Sequence, residues 1–226
     1  MSQPIPVKET TKSSSWDVPD EATDFKINKK IIFSVLATIQ ATLIFTIVIV
    51  GVPLPVIGKE FSLVQAQLVL VSAAYGLPFS GLLLFGGRLS DRYSGRAIFT
   101  VGIIIFGVAS SIGFVAPNYW ALITIRLMQG IGAACIAPAL MSLLRQLYPN
   151  TGDFQQAMAT WGGVSVLGGA VGFLSSGIVT NWFSWRWMFL IPVLGAFIGL
   201  FLVRWMMPVI KNNIPHPQGR DRTGAI

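Results

Sequence analysis

The chain has 226 residues, 53% of them hydrophobic and only 11% charged, with a mean hydropathy of +0.68. Soluble globular domains carry about 25% charged residues, so a water-soluble fold is excluded and lipid must be the solvent for most of the chain. The net charge of +7 would suit a nucleic-acid partner, but its placement argues against one. Thirteen of the 16 Lys and Arg fall on one side of a single consistent topology, with Lys59 and Arg186 on the other side and Arg126 inside a span. That asymmetry is the positive-inside pattern and predicts that both termini are cytosolic. The single cysteine, Cys135, excludes an internal disulfide.

Residues 1–30 mix five lysines with Glu9, Asp17, Asp20, Glu21 and Asp24 and have no apolar periodicity, which predicts a disordered cytosolic arm. The first apolar run starts near Ile31 and continues too long for the core of a cleaved signal peptide. Six runs follow at about 31–52, 65–87, 97–115, 119–144, 156–180 and 187–207, each close to the roughly 20 residues that cross a bilayer as a helix. None alternates as a barrel strand would, so all six are predicted to be helices. Pro53 and Pro55 are expected to end the first, with Gly58–Phe61 as an outer turn. Gly86–Arg96 forms the first inner connection, Pro117 and Asn118 break helix 3 from helix 4, Arg145–Asp153 forms the second inner connection and Asn181–Arg186 the last outer one. Beyond residue 207 the chain is a polar cytosolic tail or the start of a linker, with Pro208, Pro215 and Pro217, and it reads DRTGAI at the end.

Four stretches stand out. Gly86–Arg96, GGRLSDRYSGR, packs three arginines and one carboxylate between two spans. Charges near the midplane cost several kcal/mol each, so this stretch belongs at the membrane surface. In helix 4, Leu122–Ala134 reads LITIRLMQGIGAA and places Arg126, Gln129, Gly130, Ala133 and Ala137 on one helical face. Arg126 lies about seven residues, or roughly 10 Å, inside the outer boundary, a depth that demands a partner or a wet cavity. It either lines a central cavity or reaches outward to headgroups or free helix carbonyls. Helix 5 carries Gly162, Gly163, Gly168, Gly169, Gly172 and Gly177, and Gly168 with Gly172 makes a flat groove for a neighbouring helix. Ser184–Phe189, SWRWMF, puts Trp185 and Arg186 at the start of helix 6, where an interfacial aromatic belt with a snorkelling arginine is the plain alternative to a functional lead-in.

These stretches resemble the signatures of the major facilitator superfamily, over about residues 30–226. Gly87, Leu89, Asp91, Arg92 and Arg96 are similar to its loop between helices 2 and 3, with Ser94 and Gly95 departing from the usual Gly and basic residue. The resemblance implies that Asp91 and Arg92 form a latch that breaks as two bundles rock. The helix 4 stretch resembles the family's fourth-helix pattern and implies a role for Arg126, with Gln129 and Gly130, in substrate or proton coupling. Gly168, Gly172 and Gly177 resemble the antiporter motif, although Phe173 and Ser176 replace its proline and one glycine. Trp185 and Arg186 look like the sixth-helix lead-in of drug:proton antiporters, fungal ones above all. Asp221, Gly224 and Ala225 resemble the step into the next span of a 14-helix member, which implies that the chain is the amino-terminal half of one.

The implied fold is an all-α membrane protein of six transmembrane helices, two inverted three-helix repeats, equal to half of a major facilitator fold. The implied function is alternating-access transport of a small organic compound or drug, as proton-coupled efflux, with a second six-helix bundle needed as partner and no cofactor. The membrane would be the plasma or vacuolar membrane. The acid for proton coupling is missing: between residues 25 and 220 the carboxylates are Glu60, Asp91 and Asp153, all expected in connections, and Thr46 stands where the drug-antiporter branch has an aspartate in helix 1. Gln40, Thr46, Tyr75 and Gln129 remain as polar candidates for a cavity wall. Other classes fit less well. An intramembrane serine protease needs a base beside its nucleophile, and the one histidine, His216, lies in the polar tail. His, Cys and acid clusters for a metal are lacking. A non-transporting membrane scaffold derived from a transporter is the second reading.

Overall fold

The structure, a computed structural model, describes residues 21–205. The first twenty residues of the predicted arm, the polar tail with His216, and Asp221, Gly224 and Ala225 lie outside the described residues, as does the side chain of Asp91. The elements are α1 (Glu21–Val48), α2 (Leu54–Glu60), α3 (Gln65–Arg92), α4 (Gly95–Gly113), α5 (Tyr119–Leu147), α6 (Thr151–Trp182), a 3₁₀ turn (Trp185–Phe189) and α7 (Leu190–Trp205). Five of them, α1, α3, α4, α5 and α6, are long and apolar enough to cross a membrane, and α7 with its 3₁₀ turn forms a shorter apolar sixth.

The α3–α4, α5–α6 and α6–α7 connections are shorter than the sequence expectation, because the helices absorb their ends, whereas α1 and α4 stop early. α1 starts at Glu21, inside the stretch read as a solvated arm, and stops at Val48 rather than near residue 52. Pro53 and Pro55 do not simply end it. They open the short helix α2, where a proline in the first turn loses no intrahelical bond, and Gly58–Glu60 is the last turn of that helix rather than a loop. Gly86–Arg92 forms the last two turns of α3, so the inner connection is only Tyr93 and Ser94. Ser94 caps α4, accepting the Ala97 amide at 3.2 Å, which accounts for a serine at a position where the family pattern has glycine. Arg92 and Arg145 sit in the last turns of α3 and α5 and Asp153 in the first turn of α6, each on the end of the helix dipole that favours its charge. The break at Pro117 and Asn118 falls where the sequence puts it, with Asn118 accepting the Ala121 amide at 2.9 Å.

α5 is the central post. It packs along α3 and α4, while α1 packs along α6 and α7. Matching α1, α3, α4 with α5, α6, α7 exchanges these partners with one another, which is the packing of two inverted three-helix repeats. The α3–α5 seam is reciprocal. A Cβ on Gly130 would meet Pro78 and the backbone carbonyl of Tyr75, and one on Gly86 would meet Pro138 and the carbonyl of Ala134. Proline has no amide, so Pro138 leaves the Ala134 carbonyl, four residues earlier, without its helical donor, and Gly86 closes over that spot. Gly132 and Gly102 do the same for α4 and α5, each facing the other's carbonyl at 2.8–2.9 Å from a would-be Cβ.

Two apolar clusters fill the bundle. One gathers Leu36, Leu43, Phe99, Phe106, Ile136, Leu140 and Trp161; the other gathers Phe45, Ile49, Ile57, Leu122, Trp185 and Phe189. Between them, on α1, α4 and α5, lies a layer of buried polar side chains: Thr42, Thr46, Ser110, Arg126 and Gln129.

Candidate functional site

Arg126 is the largest fully enclosed side chain in the molecule, at 0% exposure. Its Nη1 donates to the carbonyl oxygen of Thr46 at 2.9 Å and to Gln129 Oε1 at 3.3 Å. The first bond follows from where α1 ends. Thr46 is within the last four residues of that helix, whose carbonyls have no intrahelical donor, so a guanidinium from α5 satisfies it. The guanidinium lies over the Tyr75 ring, 4.9 Å from its centroid. Tyr75, also fully buried, donates its hydroxyl to the Leu43 carbonyl at 3.3 Å. Gln129 donates its Nε2 to Ser110 Oγ at 2.9 Å. Three of the four residues brought together here, Arg126, Gln129 and Tyr75, are wholly buried, and Thr46 is 1% exposed.

The guanidinium is not satisfied. Nε and Nη2 are buried and, among the described residues, have no hydrogen-bond partner, and no carboxylate pairs with the group. Within this bundle the guanidinium is enclosed and bonds a carbonyl in the last turn of α1. It borders a hollow of about 10 Å³, roughly one water in size, lined also by Thr46, Leu122, Trp185 and Met188. A larger cleft of about 530 Å³ between α4 and α5 is lined by Ile104, Val108, Ile112, Thr124 and Met128 and includes none of the residues singled out from the sequence.

The second polar constellation is at the end of the bundle where α1 turns through α2 into α3. Arg186 Nη1 pairs with Glu60 Oε1 at 2.8 Å, its Nη2 donates to the Ala116 carbonyl at 3.1 Å, and its guanidinium lies 4.5 Å from the Trp185 ring centroid. Trp185 Nε1 donates to the other oxygen of Glu60 at 2.6 Å. One carboxylate and one guanidinium thus tie together the three outer connections. Burial alone would raise the Glu60 pKa, but the hydrogen bonds from Trp185 and Arg186 and the Arg186 charge outweigh it and hold the carboxyl below its ordinary value. Trp185 is inside the bundle at 2% exposure, whereas Trp187 and Trp182 face outward.

The remaining predicted site residues are scattered. Gly87 approaches Pro138 on α5 at ordinary contact distance. Arg92 is exposed, 6.0 Å from the Tyr93 ring centroid, and Arg96 is half-buried with its carbonyl accepting from Thr100 at 2.8 Å. Gly168 and Gly172 let α6 lie against Ala41 and Phe45 of α1, with would-be Cβ distances of 2.7 Å and 3.2 Å, while Gly177 faces open space. Gln40 is half-buried on α1 and takes no part in the Arg126 layer. Sequence reasoning missed Ser110, Ser176, whose hydroxyl donates to the Ile49 carbonyl, and the pairing of Glu60 with Trp185 and Arg186. A polar residue inside an uncharged run was the one available signal for the serines.

Comparison with known proteins now bears on this geometry. The chain is 37% identical to the puromycin resistance protein pur8 of Streptomyces alboniger over 68% of its length and 30% of the relative's. It is 34% identical to the lincomycin resistance protein of Streptomyces lincolnensis and to the cephamycin export protein CmcT of Amycolatopsis lactamdurans, in each case over 84% of this chain and 39% of the relative. The chain thus spans about a third of the length of these curated relatives. The crystal structure of a bacterial homologue of the human lysosomal transporter Spinster, inward-facing and unoccupied, superposes with a TM-score of 0.65 at 20% identity, over 87% of this chain and 47% of that one, and supports the fold. Residues 35–225 match the Major Facilitator Superfamily. With its helix bundle, its inverted triplets and its buried fourth-helix arginine, this multi-pass membrane chain belongs to the Major Facilitator Superfamily.

Proposed function

We propose that the chain forms one six-helix half of an exporter that moves small organic compounds, of the kind named in its relatives' titles, by alternating access coupled to protons. The observation that carries this reading is Arg126: a guanidinium enclosed in a membrane-spanning bundle, held by one nitrogen, with the other two nitrogens unclaimed among the described residues. Leaving buried donors unsatisfied costs about 1–3 kcal/mol or more, a cost that a purely structural position would not sustain. A hydrogen-bond acceptor entering from the middle of the membrane, on a substrate or on a carboxylate of a second bundle, would remove it. The acids in the described residues all sit at helix ends, so the proton-carrying carboxylate facing Arg126 is proposed to come from that second bundle.

The second bundle would sit on α3 and α6. Only 17% and 11% of their spanning windows are buried, against 56% for α5, and they present Leu77, Leu84, Val166, Leu174 and Ile178 outward. Substrate would then lie between the bundles near the midplane, with the Gly168–Gly172 approach allowing α6 to slide on α1. Asp91 and Arg92, on the last turn of α3, are proposed as the inner latch, and the basic end as the cytosolic one, with both termini there, in a plasma or vacuolar membrane. The reading makes the protein a carrier and not an enzyme. It is tested by substrate flux in liposomes driven by a pH gradient. Uptake that follows the gradient and is abolished in Arg126→Ala supports it; flux indifferent to Arg126→Ala, or none with any second bundle supplied, leaves the scaffold reading in its place.

A further inference from the structure

We propose that Ser110, on α4, is a positioning residue for Arg126. No motif in the sequence pointed to it, and it does not touch the guanidinium. Its role is to hold Gln129, and through Gln129 to fix the direction in which Arg126 offers its free donors. This inference rests on the transport reading for its functional consequence, though not for its structural one.

The argument is one of hydrogen-bond direction. Ser110 is fully buried, and its hydroxyl gives its one proton to the Phe106 carbonyl at 2.6 Å, a turn back on the same helix. Toward Gln129 it can therefore only accept. Gln129 meets it with its amino end at 2.9 Å, which leaves the amide oxygen facing Arg126 Nη1 at 3.3 Å. The reverse orientation would set an amino group against a guanidinium, donor against donor. The bonds thus run one way across three helices: Arg126 on α5 donates to Thr46 on α1 and to Gln129, Gln129 donates to Ser110, and Ser110 donates to Phe106 on α4. Nη1 is the only guanidinium nitrogen with an acceptor among the described residues, so its two acceptors set where Nε and Nη2 point. The Thr46 carbonyl is fixed by the end of α1. The Gln129 oxygen is on a flexible side chain, and Ser110 is what anchors its other end.

Two measurements on the full chain test this. In flux assays, Ser110→Ala is expected to reduce kcat about tenfold with KM little changed, and Ser110→Thr, which keeps the hydroxyl, to recover most of it. In nanodiscs, the ¹⁵N–¹H signal of Arg126 Nε, assigned by its loss in Arg126→Lys, is expected to shift or broaden in Ser110→Ala and to return in Ser110→Thr. Should Ser110→Ala fail to fold, Ser110→Cys, with similar volume and a weaker acceptor, takes its place. An unchanged Arg126 signal in the folded Ala or Cys variant overturns the proposal, as does equal damage from Ala and Thr, which would mean packing alone. A shifted signal in a chain that shows no flux with any second bundle supplied would uphold the positioning role while refuting the transport reading.

Discussion

Arg126 and Arg186 use the same devices to opposite ends. Each donates to a carbonyl at or just past the end of another helix, Thr46 for one and Ala116 for the other, and each lies over an aromatic ring, Tyr75 or Trp185. Arg186, 28% exposed at the outer rim, adds a carboxylate at 2.8 Å and is neutralised. Arg126, with no exposure, has none, and keeps two donors uncommitted. Physical cost should favour the reverse, since a buried unpaired charge is far more expensive than an exposed one. The difference teaches that the rim arginine ties three connections together, while the enclosed one, on the reading proposed above, keeps its charge for something that arrives.

The strongest way to break this comparison is Arg126→Lys. A lysine keeps the charge but has no planar fork to bond Thr46 and Gln129 together while lying on Tyr75, so flux in liposomes is expected to fall about a hundredfold, while Arg186→Lys, which can still reach Glu60, should lose less than about threefold. Equal losses at the two sites would erase the distinction. Next in size is Gly130→Ala, whose methyl would fall on the Tyr75 carbonyl and Pro78. Forcing α3 off α5 should cost about 1–3 kcal/mol and lower the unfolding midpoint in detergent, and it would move Tyr75 from beneath Arg126.

The rim site should respond to pH, and the direction follows from Glu60. Its carboxyl is held below the ordinary value of 4.5, so its contribution to stability is complete above that value and is lost as pH falls through the lower, folded-state pKa. Glu60→Gln should flatten this acid dependence of the unfolding midpoint. With the Glu60 side chain 37% exposed, the effect at neutral pH should be under about 1 kcal/mol. A midpoint that falls with acid just as steeply in Glu60→Gln would remove Glu60 from the account. The smallest effect is expected at Gly177→Ala. Nothing lies within 4 Å of its would-be Cβ, so stability should stay within about 0.5 kcal/mol. A change in flux without a change in stability would place that face against a second bundle.

Much of this molecule was legible in its residues. Uncharged, non-alternating runs of spanning length gave the helices, because lipid leaves only helices and closed barrels to satisfy a backbone. The family pattern of helix 4 gave Arg126, Gln129 and Gly130, and Pro117 with Asn118 gave the break before them. Some helix ends differ where a terminal turn is polar: Gly86–Arg92 looks like a loop by composition, yet it is the last two turns of α3.

By itself, then, the sequence determined that this chain crosses a membrane as a helix bundle and that one arginine is sunk within it, since hydrophobicity and helical period are local properties. Only the tertiary structure decided what that arginine touches. The Thr46 carbonyl, 80 residues before Arg126, became an acceptor because α1 stops at Val48, and Glu60 met Trp185 across a separation of 125. Such partners are chosen by how helices pack, and a carbonyl freed by a helix end has no letter of its own in the sequence.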